Sequence, residues 1–437
     1  MSETRKILLH TCCGPCASAC VPRLRELGRE ATLFFANSNI DTRAEFEKRL
    51  GEARKLAAAE GVELVALPYD HAEWLQEVAA GYEDEPEQGA RCERCFRYNL
   101  TRAAAYAAEH GFPEFTTSLT VSPHKATPVI FAVAKDLPPP AATLPPPVFL
   151  PEDFKKREGF KLSVRRTREL GLYRQSYCGC EFSKLPRWKL HHRAETVSTN
   201  LDARAGAAFD AFTADYQTAG RGRLDHSWHS PRGENLILSA VLPVEGATAE
   251  EVATLPLVAG LAVARALAAF LPAEARTGLK WPNDILVNGR KLAGILCERQ
   301  DDRVIVGIGA NVGTRDFPPE LAARATSLAL LLGEGGAVPG VGTVTNRVLA
   351  ALARAFAAWQ TQGFASLMPE ISALDLLRGK TVSVLQTDAD DRPLTGLAEG
   401  IAENGSLLVS GRRVYAGEAH LISAACQTQP HENSARQ

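Results

Sequence analysis

The chain has 437 residues, 45% hydrophobic and 23% charged, ordinary values for globular protein that exclude a disordered or fibrous chain. At about 150 residues per domain, the length predicts about three domains. Lys plus Arg number 49 against 51 Asp plus Glu, a net charge of -2, which excludes a globally basic nucleic-acid coat but leaves local patches open.

Cysteine is the informative count. There are ten, and eight lie at or before Cys180, with Cys297 and Cys426 beyond. The first residues carry too short an apolar run for a secretory signal, so a reducing cytoplasmic setting is expected. Clustered thiols there serve metal binding or redox chemistry rather than structural disulfides.

In chain order, the pattern predicts a strand at 6–10, a loop at 11–15, an amphipathic helix at 16–27 and a strand at 31–36. A helix at 43–60 and a strand at 62–67 continue the alternation. This βαβ rhythm implies an α/β, Rossmann-like domain with a parallel sheet. Such sheets bind ligands beyond the carboxyl ends of their strands, where Cys12 and Cys13 fall. A helix at 92–109 and a strand at 114–119 follow. The proline-rich run at 138–147 can be neither helix nor central strand and reads as an extended surface loop.

From 151 to 193 there are 12 Lys or Arg against 5 Asp or Glu, a local balance of +7. That fits a solvated helix face or an anionic partner equally well. After Trp188 the pattern turns α+β. The apolar stretch 255–271 is interrupted by Pro256 and Arg265 and reads as a buried helix, not a membrane span. The runs 279–287 and 290–298 flank Asn288-Gly289, a pair suited to a type I′ hairpin, and 304–312 supplies a third strand. Beyond Leu377 lies a small all-β unit with an Asn404-Gly405 turn, and 426–437 reads as a disordered tail.

The early thiols occur as Cys12-Cys13-Gly-Pro-Cys16, Cys92-Glu-Arg-Cys95 and Cys178-Gly-Cys180. Cys92 and Cys95 share one face at a predicted helix start, where the helix dipole favours thiolates. Thiolates from two loops can hold a four-iron, four-sulfur cluster or a tetrahedral zinc, and a Cys-x-Cys pair suits a strained, redox-active disulfide. Cys20, one turn after Cys16, reads as a small core residue, as does His10 at the first strand end. His124 and Lys125 follow a strand end and suit proton donation, phosphate binding or a plain loop role.

These blocks, with TTSLTVSPHK, FLPEDFKKREG and LGLYRQSYCGCEFS, resemble the QueH type of epoxyqueuosine reductase over about residues 5–184. The resemblance implies reduction of epoxyqueuosine to queuosine at the wobble position of tRNA. It assigns Cys12, Cys13, Cys92 and Cys95 to a 4Fe-4S cluster and Cys178 with Cys180 to a redox-active pair. A second metal, iron or zinc, on Cys13, Cys16 and Cys180 is the rival distribution. An unidentified electron donor is implied, and the basic run becomes a surface for tRNA phosphates. The proline run stands where the family has a longer helix. A zinc-stabilised RNA-binding module without redox activity is the alternative.

The second half carries Thr196-Val-Ser198-Thr199-Asn200, Gln217-Thr-Ala-Gly-Arg221-Gly222-Arg223, Lys280-Trp-Pro-Asn-Asp284 and Arg290-Lys291-Leu-Ala-Gly294. The glycine–arginine tract presents two guanidiniums, and Lys291 beside Asp284 suits adenylation, neutralising a phosphate while the carboxylate holds metal or orients an amine. With GIGANV at 307–312 and ATSL at 325–328, these blocks resemble the BirA type of biotin–protein ligase over about 188–422. The resemblance implies biotinyl-adenylate formation from biotin and ATP with Mg2+, then transfer to a lysine of a biotin carboxyl carrier protein.

By position, Ser198, Thr199, Asn200 and Gln217 contact biotin. Arg221, Gly222 and Arg223 surround biotin and phosphates, Lys291 binds biotin and the adenylate, and Asp284 assists with metal or acceptor. Trp281 is left as a core aromatic. Asp225-His226 stand where the family continues Gly-Arg, and no DNA-binding helix-turn-helix precedes the ligase, so no operator binding is expected. A lipoate ligase of related fold is the rival. The expected units are 1–186 (reductase), 187–374 (ligase catalytic domain), 375–425 (an SH3-like β-barrel) and 426–437 (tail).

Overall fold

The structure, a computed structural model, describes residues 5–140, 145–223, 227–385 and 393–422. Asp225-His226, Cys426, the expected tail and the centre of the proline run lie outside the described residues. The fold divides into two compact units after Lys184.

In the first unit, β1 (Arg5–His10), α1 (Gly14–Glu26), β2 (Arg29–Phe35), α2 (Arg43–Glu60) and β3 (Leu64–Ala66) alternate as expected. They are followed by α3 (Ala90–Glu109), β4 (Glu114–Thr117), α4 (Thr127–Lys135), β5 (Val148–Phe149) and α5 (Gly159–Glu169). Among the described residues, the strands form one sheet of order β3-β2-β1-β4-β5, parallel throughout. Both faces are covered, as a parallel sheet requires. Ile7, Leu9 and Leu33 pack with Val21 and Leu24 on one side, while Leu8 and Phe34 pack with Ala103 and Ala107 on the other. The connections leave β1 in opposite directions, so a crevice opens where β1 and β4 end together.

Two predicted boundaries move for physical reasons. The first helix starts at Gly14, ahead of the expected residue 16, because Pro15 fits the opening turn and Cys13 becomes its N-cap. The fourth strand stops at Thr117, where the Thr117 hydroxyl accepts from the Leu119 N–H and turns the chain into a 3-10 segment at Ser118–Val121.

The second unit contains β6 (Lys189–Arg193), a one-turn helix at Thr199–Ala203, β7 (Asp210–Ala214), β8 (Leu236–Pro243) and α6 (Leu255–Ala268). Next come the remaining strands of the same sheet, β9 (Thr277–Lys280), β10 (Asp284–Val287), β11 (Arg290–Gln300) and β12 (Arg303–Ala310), then α7 (Val341–Gln362). Among the described residues, the sheet order is β6-β7-β8-β12-β11-β10-β9, with only β6 and β7 parallel. The segment Ala249–Ala268 is long and apolar enough to cross a membrane, but Leu255, Val258, Leu261, Ala262 and Leu267 are buried against the sheet and α7, as expected for a core helix.

The expected single strand at 279–287 is two strands. Pro282 has no N–H to give a ladder, and the chain turns through Trp281–Asn283 so that β9 pairs antiparallel with β10. The following hairpin forms as expected, with positive φ at both Asn288 (50°) and Gly289 (79°), the requirement of a type I′ turn. The last strands, β13 (Thr381–Leu385), β14 (Leu394–Ile401), β15 (Leu407–Val409), β16 (Arg412–Val414) and β17 (Glu418–Leu421), make an antiparallel sheet. Val382, Val384, Leu407 and Val409 join the same core as α6.

Candidate active sites

The first site lies at the crevice beyond β1. Cys12, Cys13 and Cys16 bring their sulfurs within 4.8 Å of one another and could hold a metal ion. Cys13 is fully buried at the α1 N-terminus, and the Gln175 amide donates to its sulfur at 3.1 Å. Donation from Cys12, Cys16 and Gln175 holds Cys13 well below the ordinary thiol value, while its neighbours Cys12 and Cys16 are pushed up. The Ser118 hydroxyl, from the turn after β4, donates to Cys12 Sγ at 3.3 Å.

Cys92 and Cys95 come from the first turns of α3. The Gln88 N–H donates to Cys92 Sγ at 3.2 Å, and Asn99 donates to Cys95 Sγ at 3.4 Å. Cys12 and Cys92 flank the same apolar cluster around Phe96, Leu119 and Ile130. Burial pushes both Cys92 and Cys95 upward as bare thiols, so ionised sulfur there requires a positive partner. Cys180 packs with Cys95 and Phe182 around Trp74, and burial pushes its thiol up to about 11. Cys180 and Cys95 thus line the same apolar cluster, while the sulfurs of Cys12, Cys13 and Cys16 form a group of their own.

Lys125 connects the parts: its ammonium donates to Cys178 Sγ at 3.1 Å. Burial opposes that charge, yet the sulfurs of Cys178, Cys12 and Cys95 outweigh it and hold the ammonium well above its ordinary value. His124 is exposed beside it. Cys20 is buried and donates to the Cys16 carbonyl, a core role. His10 is also buried, bonded to Thr117, and burial lowers its pKa to about 4, so it stays neutral. No disulfide occurs among the described cysteines.

Sequence reasoning missed Arg49. Its side chain is 1% exposed and donates to Glu45 (2.7 Å) and to the Cys178 carbonyl (2.9 Å). Glu45 and Arg49 stand four apart on a helix, a spacing that reads as an ordinary surface pair. Nothing local announces that a segment more than a hundred residues later covers it.

The second site is a cavity of about 570 Å³ lined by Ser198, Thr199, Asn200, Gln217, Arg221, Gly222, Arg223, Asp284 and Lys291. Every residue anticipated for this site reaches one space. Gln217 Oε1 accepts from the Thr199 N–H (2.8 Å) and hydroxyl (3.1 Å). Ser239 donates to Asn200 Oδ1 at 2.6 Å, and Asn200 donates to Glu298, which fixes the amide's orientation. Gly307 and Gly309 are glycines because Asn200 and Trp228 occupy the places their Cβ atoms would take, at 2.4 and 2.3 Å.

Lys291 lies just past the Asn288-Gly289 turn, 2.7 Å from Asp284 across the hairpin and 5.8 Å from the Trp228 ring centre. Arg223 donates to the Gly417 carbonyl (3.3 Å), and burial pulls its pKa down against the opposing pull of Asp284 and Glu418. Trp281 lines the cavity while its ring N–H donates to Gly405, so it is both wall and core. Cys297 is partly buried against the core, and desolvation pushes its thiol up to about 12.

Residues 7–185 match the family described as epoxyqueuosine reductase QueH, and residues 208–314 match the biotin/lipoate A/B protein ligase family. Over 183 residues the chain is 36% identical to epoxyqueuosine reductase QueH of Streptococcus pyogenes serotype M1, covering 40% of this chain and 69% of that relative. Over 240 residues it is 36% identical to biotin–[acetyl-CoA-carboxylase] ligase of Mycobacterium tuberculosis, covering 52% of this chain and 86% of the relative. The chain belongs to both families. It is a fusion of a QueH reductase unit with a biotin–protein ligase unit, and both are enzymes. A biotin protein ligase from Aquifex aeolicus, solved with biotin and ATP, aligns at 30% identity and TM-score 0.47, over 54% of this chain and 98% of that one.

The donor chemistry of the QueH unit fits a thiolate-bound metal group. Soft sulfur donors from separate segments, several of them buried, are what iron–sulfur and zinc sites use.

Proposed function

We propose that the protein is bifunctional, reducing epoxyqueuosine in tRNA to queuosine and biotinylating a carrier-protein lysine. For the reductase, the supporting observation is that sulfurs from residues 12–16, 92–95 and 178–180 converge around Lys125 at the crevice beyond β1. Cys12, Cys13, Cys92 and Cys95 would hold a 4Fe-4S cluster, which supplies electrons one at a time when bound. Cys178 with Cys180 is the redox-active pair; a second iron or zinc on Cys13, Cys16 and Cys180 is the rival distribution.

The overall reduction takes in two electrons and two protons, breaks both epoxide C–O bonds, forms a C=C bond and releases water. Lys125 is a partly buried cation of the site and offers its charge to the departing oxygen. The wobble base is reached cheaply because anticodon bases are already exposed or readily splayed. Lys156, Arg157 and Arg168 are exposed in the basic stretch and suit phosphate contacts.

For the ligase, the supporting observation is one cavity lined by Ser198, Thr199, Asn200, Gln217, Arg223, Asp284 and Lys291 together. Ser198, Thr199, Asn200 and Gln217 would hold biotin, with Arg221, Gly222 and Arg223 closing over biotin and the ATP phosphates. Lys291 would leave Asp284 to neutralise the α-phosphate of biotinyl-adenylate, freeing the carboxylate for Mg2+ or the acceptor amine. The glycine–arginine loop shields the mixed anhydride from water. The units proposed are 1–186, 187–374 and an SH3-like module at 375–425.

Anaerobically purified protein is expected to contain iron and sulfide with a visible absorbance that bleaches on reduction. Zinc alone would refute the reductase reading. Adenylate trapping with both acids is expected to show transfer of biotin, and transfer of lipoate alone would refute the ligase reading.

A further inference from the structure

Cys178-Gly179-Cys180 lies in an irregular loop, yet it is gripped from one side by a buried cation. Arg49 Nη1 donates to the Cys178 carbonyl at 2.9 Å and Nη2 to the Tyr177 carbonyl at 3.5 Å. Its carbon lies 4.9 Å from the Tyr177 ring centre, and Glu45 balances its charge. Gly179 has φ +144°, and a Cβ there would sit 3.2 Å from Arg49 Nη1, so the loop is pressed onto the guanidinium. The Asp41 N–H donates to the Gly179 carbonyl at 3.0 Å, completing the hold. Each sulfur has its own surroundings, Cys178 against the Lys125 ammonium and Cys180 in the Trp74 cluster with Cys95.

We propose that Arg49 is a positioning residue that holds the Cys178–Cys180 loop in its open dithiol form and thereby makes its disulfide easy to reduce. The inference rests on the reading of these cysteines as a redox pair. Closing the disulfide joins the two sulfurs and releases two electrons and two protons, which the epoxide takes up. To close, both sulfurs must leave their separate surroundings, and the peptide at Cys178 must turn against the bonds that Arg49 makes. Bonds present in the dithiol and weakened in the disulfide favour the dithiol, as for any couple whose reduced form is stabilised. A pair held open in this way has a raised reduction potential, so a donor of given potential keeps a larger share of it reduced between turnovers.

The test uses full-length protein equilibrated anaerobically in glutathione buffers, trapped with N-ethylmaleimide and digested with trypsin. The tryptic peptide 175–184 carries Cys178 and Cys180 and no other cysteine. Arg49→Lys keeps the charge beside Glu45 but cannot span both carbonyls. It is expected to reach half-oxidation in buffers about three- to tenfold more reducing than wild type, the effect of losing one or two net hydrogen bonds. Glu45→Gln loosens the same guanidinium from outside at unchanged volume, and a smaller shift in the same direction is expected, which keeps the test alive should Arg49→Lys fail to fold. An unchanged midpoint in every folded variant, with the wild-type pair titrating normally, overturns the role of Arg49. A wild-type pair that forms no disulfide at any ratio overturns both this inference and the redox-pair reading.

Discussion

Lys291 is held 2.7 Å from Asp284 in a cavity it shares with Arg223. Replacing Lys291 by Ala removes the charge that would meet the α-phosphate, and biotinylation is expected to fall by about 100-fold or more, with Arg223→Ala similarly damaging. Queuosine formation by the same variants should be unchanged, measured on the same preparation; coupled loss would contradict independent units. Cys95→Ser replaces a soft donor by a hydroxyl and is expected to lower iron content and abolish reduction, read by metal analysis. The residues lining the second cavity were legible because they stand in short motifs rich in hydroxyl, amide, glycine and charged residues. Arg49 and Gln175 were not, since their functional partners lie more than 120 positions away and only the fold brings them together.

Among the elements, α6 shows how patterning decides a helix's fate. Interrupted by Pro256 and Arg265, it reads as core, and Leu261 is 1% exposed between the sheet and α7. Leu261→Ala is expected to cost about 2–5 kcal/mol of the second unit's stability, visible as a lower melting transition for biotin-dependent activity. The βαβ order of the first unit was legible from the alternation of helical and strand patterns, with apolar runs at Ile7–Leu9 and Leu33–Phe35 marking strands buried on both faces. The division of 279–287 was not, because a strand pattern persists on both sides of Pro282 and only the missing N–H marks the break. The start of α1 was placed late by treating Gly14-Pro15 as loop, although proline suits a first helical turn.

At the scale of the whole molecule, the net charge of -2 averages two sites of different make-up, one dominated by thiols and the other, among its described residues, by charged and amide side chains. On the proposed reading, one unit works with thiols from the first 180 residues, and the other would use Lys, Arg and Asp around a phosphate. Removing iron with a chelator is therefore expected to abolish tRNA reduction while leaving biotinylation at its original rate, and biotin with ATP should stabilise only the second unit's unfolding transition. The thiols of the first unit come from three stretches, the last ending at Cys180. Consequently a growing chain on the ribosome exposes Cys12, Cys13 and Cys16 long before Cys178 and Cys180 exist. Synthesis of residues 185–437 then occupies on the order of 10–50 s at ordinary elongation rates. Every cysteine proposed to hold metal therefore exists before the ligase is complete, and that interval is open for the first unit to bind it.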